Sequence, residues 1–183
     1  MMNTNLRLFH TLETDNICFK SLVADDTREI HTYASDEEVS RFIGWKLMKT
    51  VDETREFIET MLKREAAGTH MYASVVLKAT QAIIGTVMIF DFDQITNHAE
   101  IGYVFHKDYW GKGYGSESVA LLTDFAFDTL KLHKLHASVV DANIGSARIL
   151  EKNGYELEGR IKDHFFIEDI YYNQLLYGKI NNK

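Results

Sequence analysis

The stretch YWGKGYGSESV, residues 109–119, places glycine at 111, 113 and 115, after a strand-like run and before a helix-like one. Without a Cβ at these positions several backbone N–H groups can converge on one ligand, and the positive end of the helix dipole adds to the attraction. Such a site suits phosphate, with Lys112 as a flexible cation beside it. A nucleotide P-loop requires Gly-Lys followed by Ser or Thr, and Lys112 is followed by Gly113. A dinucleotide fingerprint starting at Gly113 requires glycine at 118, where the chain has Ser118. For three glycines alone, a tight turn that holds no ligand is the alternative. His133, His136 and Asp141 invite a metal, but a helix-to-strand junction splits the two histidines and no third ligand has helical spacing, so no metal site is expected.

The 183 residues fit one domain, expected over 1–183, with a core that needs neither disulfides nor metal. Cys18 is the single cysteine, and the N-terminal MMNTNLRLFHTLETDN lacks the basic start and apolar run of a secretion signal, so a cytoplasmic protein is expected. No apolar stretch approaches the ~20 residues of a membrane helix, which excludes a membrane partner by that route. A net charge of −7 argues against a nucleic-acid surface and is compatible with a cationic partner such as an amine.

These residues must be positioned by regular elements. ICFKSL (17–22) reads as a first strand, followed by helices over TREIHTYAS and DETREFIETMLKREAAG, the second stopped by Gly68. YASVVLK, AIIGTVMIF and AEIGYVFH read as an antiparallel meander. Residues 116–132 form a largely buried helix, KLHASVV a strand, SARILEKN a short helix, and the chain from 155 returns to strand. The order βααβββαβαββ predicts an α+β, three-layer αβα fold around a mixed sheet.

The strand AEIGYVFH, the loop YWGKGYGSES, the long helix and then VVDANIGSARILEKNGYELEG together resemble the GNAT superfamily of acetyl-CoA-dependent N-acetyltransferases over about residues 22–177. The Trp-Gly-Lys-Gly-Tyr-Gly loop, with Asn143, Ser146 and Asn153-Gly154-Tyr155, is most similar to the ribosomal-protein N-terminal acetyltransferase branch. Trp110 stands where the general superfamily pattern has Gln or Arg, and that branch commonly carries Trp. The resemblance implies a splayed central sheet and a coenzyme A pyrophosphate cradle of Gly111, Lys112, Gly113, Tyr114, Gly115 and Ser116. It also implies backbone contacts to the pantetheine arm near Tyr103 and Phe105, and side-chain contacts to it from Asn143.

Amide formation from a thioester asks for a neutral amine, an oxyanion donor and a proton for the departing thiolate. A main-chain N–H on the strand around 103–105 suits the oxyanion if a bulge or splay leaves it unpaired. Many superfamily members use a tyrosine for the thiolate, but the matching position is Leu150; the resembling branch uses a serine, here Ser146, whose alternative role is to cap the helix. Glu100 can accept the amine proton, directly or through water, if its strand turns it into the cleft. The acid that positions the base water in that branch falls near Phe165, which leaves Asp163, His164 and Glu168 as substitutes.

Acceptor walls are expected from SDEEVSRFIGWKLMKTVDE and the C-terminal hairpin, with Phe42, Trp45 and Tyr172 shaping the cleft and Asp36, Glu37 and Glu38 attracting a cation. A weak base is enough for an α-amine, which favours a protein N-terminus as acceptor. DHFFIEDIYYN is also similar to spermidine acetyltransferases, so a polyamine is the alternative, and a non-catalytic acyl-CoA sensor is the alternative of another class. Nothing in the composition opposes a homodimer.

Overall fold

The computed structural model of the protein describes residues 2–43 and 46–182, so Trp45 lies outside the described residues. Among the described residues seven strands form one sheet in the order β1-β2-β3-β4-β5-β7-β6. The strands are β1 (Ile17–Ser21), β2 (His70–Leu77), β3 (Ala82–Asp93), β4 (His98–Phe105), β5 (Lys134–Val140), β6 (Glu156–Ile167) and β7 (Ile170–Ile180). Every neighbouring pair is antiparallel except β4 and β5. The expected meander is β2–β3–β4, and the mixed α+β architecture is the one that strand order implied.

The parallel pair is short. Register partners run His98↔Lys134, Ala99↔Leu135 and Glu100↔His136, and the pairing stops there. Beyond Glu100 the two strands diverge, and this splay opens the middle of the sheet. Right-handed strand twist makes such divergence easy where a parallel pair is held at one end alone.

Among the described residues six α-helices cover the sheet: α1 (Met2–Phe9), α2 (Thr27–Ala34), α3 (Glu37–Ser40), α4 (Val51–Ala66), α5 (Tyr114–Asp124) and α6 (Ile144–Lys152). One core contains Phe9, Leu122 and Leu150 from α1, α5 and α6; the other contains Ile30 and Ile58 from α2 and α4. Helices therefore lie on both faces. Thr50 and Glu53 form a reciprocal capping box that starts α4, and Gly68, at φ +76°, follows its end.

Helix α1 was not expected, because its sequence carries no cap signal. What holds it is Phe9, fully buried with ring centroids 5.6 Å from Phe19 and 5.3 Å from Phe125. The helix expected over 116–132 also changes pitch: Phe125–Thr129 is a π turn, closed by Leu130 N–H donating to the Phe125 carbonyl. Phe125, Ala126 and Phe127 are all buried within that turn.

Candidate active site

The splay exposes one side of β4. His106 N–H donates to the Ile84 carbonyl of the neighbouring β3, so alternation turns the main-chain groups of Tyr103 and Phe105 the other way, into the gap that β5 has left. The Phe105 carbonyl accepts the indole N–H of Trp110 at 2.8 Å, and the ring of Trp110 stays 45% exposed. Trp110 thus ties the glycine loop to the end of β4.

In that loop Gly111 and Gly113 adopt φ of +71° and +92°, and nothing lies within 4 Å of where a Cβ would stand on either. Gly113 occupies the N-cap of α5 with no side-chain cap, which leaves the first-turn N–H groups of Tyr114, Gly115 and Ser116 pointing out of the helix. Gly115 differs: a Cβ there would meet Ile149 Cδ1 at 2.6 Å and Phe105 Cε2 at 3.3 Å, so its bareness serves helix packing. Ser116 is held through its carbonyl and hydroxyl, both accepting from Asn153 Nδ2 at 3.1 Å. The Asn153 of the Asn-Gly-Tyr run therefore bridges the end of α6 to the start of α5. Lys112 is exposed, with Nζ 5.3 Å from the centroid of the Tyr109 ring.

A second group gathers where α6 begins. Asn143 Oδ1 accepts the Ser146 N–H at 3.1 Å and so caps the helix, leaving the amide Nδ2 available to a ligand. Tyr103 reaches across the splay: its hydroxyl donates to the Ser146 carbonyl at 2.9 Å and accepts from Ser146 Oγ at 2.9 Å. Burial pushes the Tyr103 phenol well above its ordinary range, with the Ser146 hydrogen bond opposing. Sequence reasoning gave Tyr103 a main-chain role and missed this hydroxyl. No linear signal connects it to Ser146, 43 residues away.

Glu100 lies on the opposite face of β4 from Tyr103, at the last paired position before the splay. Its carboxylate is 3.6 Å from His136 Nε2. With Asp91 these residues offer three donor atoms within 4.8 Å of one another, a set capable of holding a cation. The trio weighed on sequence does not assemble in this way: Asp141 is instead engaged by Arg160 at 2.8 Å and by Asn173. Glu100, Tyr103, Asn143 and Ser146 all border one cleft of about 750 Å³, while the glycine loop lies outside it, beyond Phe105.

The cleft continues to walls from α3, α4, β2 and the β6–β7 hairpin. Phe42 meets Tyr172 edge-on at 5.5 Å, and Arg41 pairs with Glu168 at 2.6 Å, so the two segments expected to form the acceptor wall do touch. Asp36, expected to attract a ligand cation, is engaged within the chain and does not border the cleft. It caps α3 through Glu38 N–H and Val39 N–H and pairs with Lys107 at 2.6 Å, which hold its carboxyl below the usual range. Phe165 borders the cleft, whereas Asp163, His164 and Glu168 do not. Leu150, at the place of the missing tyrosine, is fully buried.

The sequence profile of the acetyltransferase (GNAT) domain matches residues 16–156, more than half of the chain. The chain belongs to the GNAT acetyltransferase family. An uncharacterized N-acetyltransferase of Bacillus licheniformis is 30% identical over 84% of this chain and 86% of its own. The ribosomal-protein-S5-alanine acetyltransferase of Vibrio fischeri superposes with a TM-score of 0.82 at 22% identity, covering 94% of this chain and 97% of that one. The spermidine N-acetyltransferase of Vibrio cholerae, in complex with CoA and spermine, gives 0.82 at 22% identity, covering 93% and 98%. As a GNAT domain the chain is of the acetyltransferase enzyme class, and a non-catalytic sensor finds no support. Among the described residues, no helix of this GNAT domain is long and apolar enough to cross a membrane.

Proposed function

We propose that the protein transfers the acetyl group of acetyl-CoA to the α-amine of a protein or peptide N-terminus, by direct attack with both substrates bound. The observation that carries this reading is the opening of the sheet at Glu100, with a carboxylate on one face and the Tyr103–Ser146 hydroxyl pair on the other.

The residues present fit the coenzyme. Gly111 and Gly113 leave open space where side chains would stand, beside a helix N-terminus with no side-chain cap. The N–H groups of 113–116 and Lys112 would hold the diphosphate. The gap-facing main chain of Tyr103 and Phe105, with Asn143 Nδ2, would hold the extended arm between loop and cleft. Bound acetyl-CoA supplies an acyl carbon activated by its thioester.

The chain's residues then divide the proton work. Glu100 accepts the proton of the attacking amine, directly or through one water. An unpaired β4 N–H at the splay donates to the oxygen that gains charge. Ser146 Oγ–H turns from Tyr103 to hydrogen-bond the departing sulfur and stays neutral; the sulfur takes one proton from water, and Glu100 returns the amine's proton to water. Tyr103, anchored on the Ser146 carbonyl, fixes the backbone from which that hydroxyl projects.

The α-amine is favoured because its pKa near 8 leaves about a tenth neutral at pH 7, against fewer than roughly one in a thousand for a lysine-like amine. A carboxylate is a sufficient base for the first. The likeness to the Vibrio fischeri S5-alanine enzyme supports this reading, and the likeness to the Vibrio cholerae spermidine enzyme supports a polyamine as the second. Thiol release from acetyl-CoA should proceed with a peptide bearing a free α-amine and not with the same peptide α-blocked and bearing a free lysine. Turnover confined to the blocked peptide or to spermidine overturns the proposal.

A further inference from the structure

The charged groups that border the cleft are Arg41, Lys46 and Arg64 against the single carboxylate of Glu100. The local balance is therefore positive in a chain whose net charge is −7. Solubility does not require cations in a cleft of an acidic protein, and clefts concentrate the field of the charges on their walls. Arg41 is already committed to Glu168 at 2.6 Å. Lys46 and Arg64 make no ion pair among the described residues, and the carboxylate of Glu53, lowered mainly by backbone N–H donors, is near enough to Lys46 to be held down by it as well. His70 borders the same wall, stacked on Phe90 at 5.5 Å. Burial, and next the nearby Arg64, hold its pKa below the ordinary value, with the Thr69 hydrogen bond and the Asp91 carboxylate opposing.

We infer that the acceptor is an amine carrying an anionic group, its amine end directed to Glu100 and its negative end read by Lys46 and Arg64. The matching chemistry is an acidic peptide N-terminus, with Asp or Glu in the first few residues. A polyamine would bring two or more positive charges past Lys46 and Arg64, with Glu100 and the adjacent Asp91 to neutralise them, and like-charge approach is costly. Lys46 lies in the segment that follows α3 and Arg64 on α4, so the reader of the anion stands on different elements from the coenzyme loop. The inference rests on the reading of this cleft as the acceptor site.

The test is a thiol-release assay with acetyl-CoA across two sets of acceptors. The first set is peptides with a free α-amine and Asp/Glu, Ala or Lys at positions two to four. The second is small amines without an α-amino acid: phosphoethanolamine, ethanolamine and spermidine. Acidic peptides should exceed basic ones in kcat/KM by about tenfold, the scale of two partly exposed charge pairs, and the margin should shrink as salt rises. In K46A/R64A that margin should collapse through KM for the acidic peptide. In K46R/R64K, which keeps both charges, it should survive; thermal melts establish that both variants fold. Peptides acetylated without regard to charge, or a preference for spermidine over phosphoethanolamine, overturn the inference and leave the acetyltransferase reading intact. Preference for phosphoethanolamine with no peptide turned over sustains the anionic acceptor and overturns the α-amine reading. No turnover with any acceptor overturns both.

Discussion

Ser146 and Tyr103 hold each other by two hydrogen bonds, and each restricts where the other can point. If the serine hydroxyl serves the departing sulfur, Ser146→Ala should lower kcat by about 10²-fold, the usual weight of a positioned proton donor, with coenzyme affinity unchanged. Calorimetry and steady-state kinetics separate those two quantities. Tyr103→Phe removes only the partner that orients Ser146, so its loss in kcat should be nearer tenfold, the scale of one buried hydrogen bond. An equal or larger loss for Tyr103→Phe would make the tyrosine the donor. Of this pair, Ser146 was legible through the resemblance of a short contiguous run. Tyr103 was not, because its contact depends on a strand and a helix meeting across the splay.

At the scale of elements, glycines that look alike in the sequence separate into two kinds. Gly113 stands at φ +92° with open space beside it, so Gly113→Val should chiefly weaken coenzyme binding, by about tenfold or more once bulk and backbone strain both oppose the ligand. Gly115 touches Ile149 and Phe105, and Gly115→Val should lower the melting temperature as well. Isothermal calorimetry and thermal melts distinguish these outcomes. His10, in the turn that follows α1, offers a pH test. Burial works against a charged His10, but the Glu65 carboxylate at 3.3 Å and the Tyr72 carbonyl at 3.0 Å outweigh it and raise the imidazole above its ordinary value. The folded value exceeds the unfolded one, near 6.5, so this contribution to stability is complete below about pH 6.5 and is lost as pH rises through the folded value. Melts of the wild type and His10→Gln should diverge on the acid side and converge on the alkaline side; a constant difference across pH would refute the coupling.

For the whole molecule, Asp91, Glu100 and His136 converge from three strands, yet the proposed chemistry asks Glu100 only to accept a proton. Dialysis against EDTA should therefore leave turnover unchanged, and a loss restored by a divalent cation would assign this trio to a metal. The meander, the glycine loop before α5 and the hairpin were readable from the chain itself, because period and φ preference act within a few residues; the cap of α6, expected as the alternative role of Ser146, falls to Asn143 instead. The N-terminal helix, the π turn, the commitment of Asp36 to Lys107 and the cationic wall of Lys46 and Arg64 were not. Each of those depends on what distant segments bury or neutralise. Local stereochemistry thus determined which elements form and where bare amides are available. Only tertiary packing, by letting β4 and β5 part after Glu100, decided which side chains face one another across the opening and what charge the acceptor meets there.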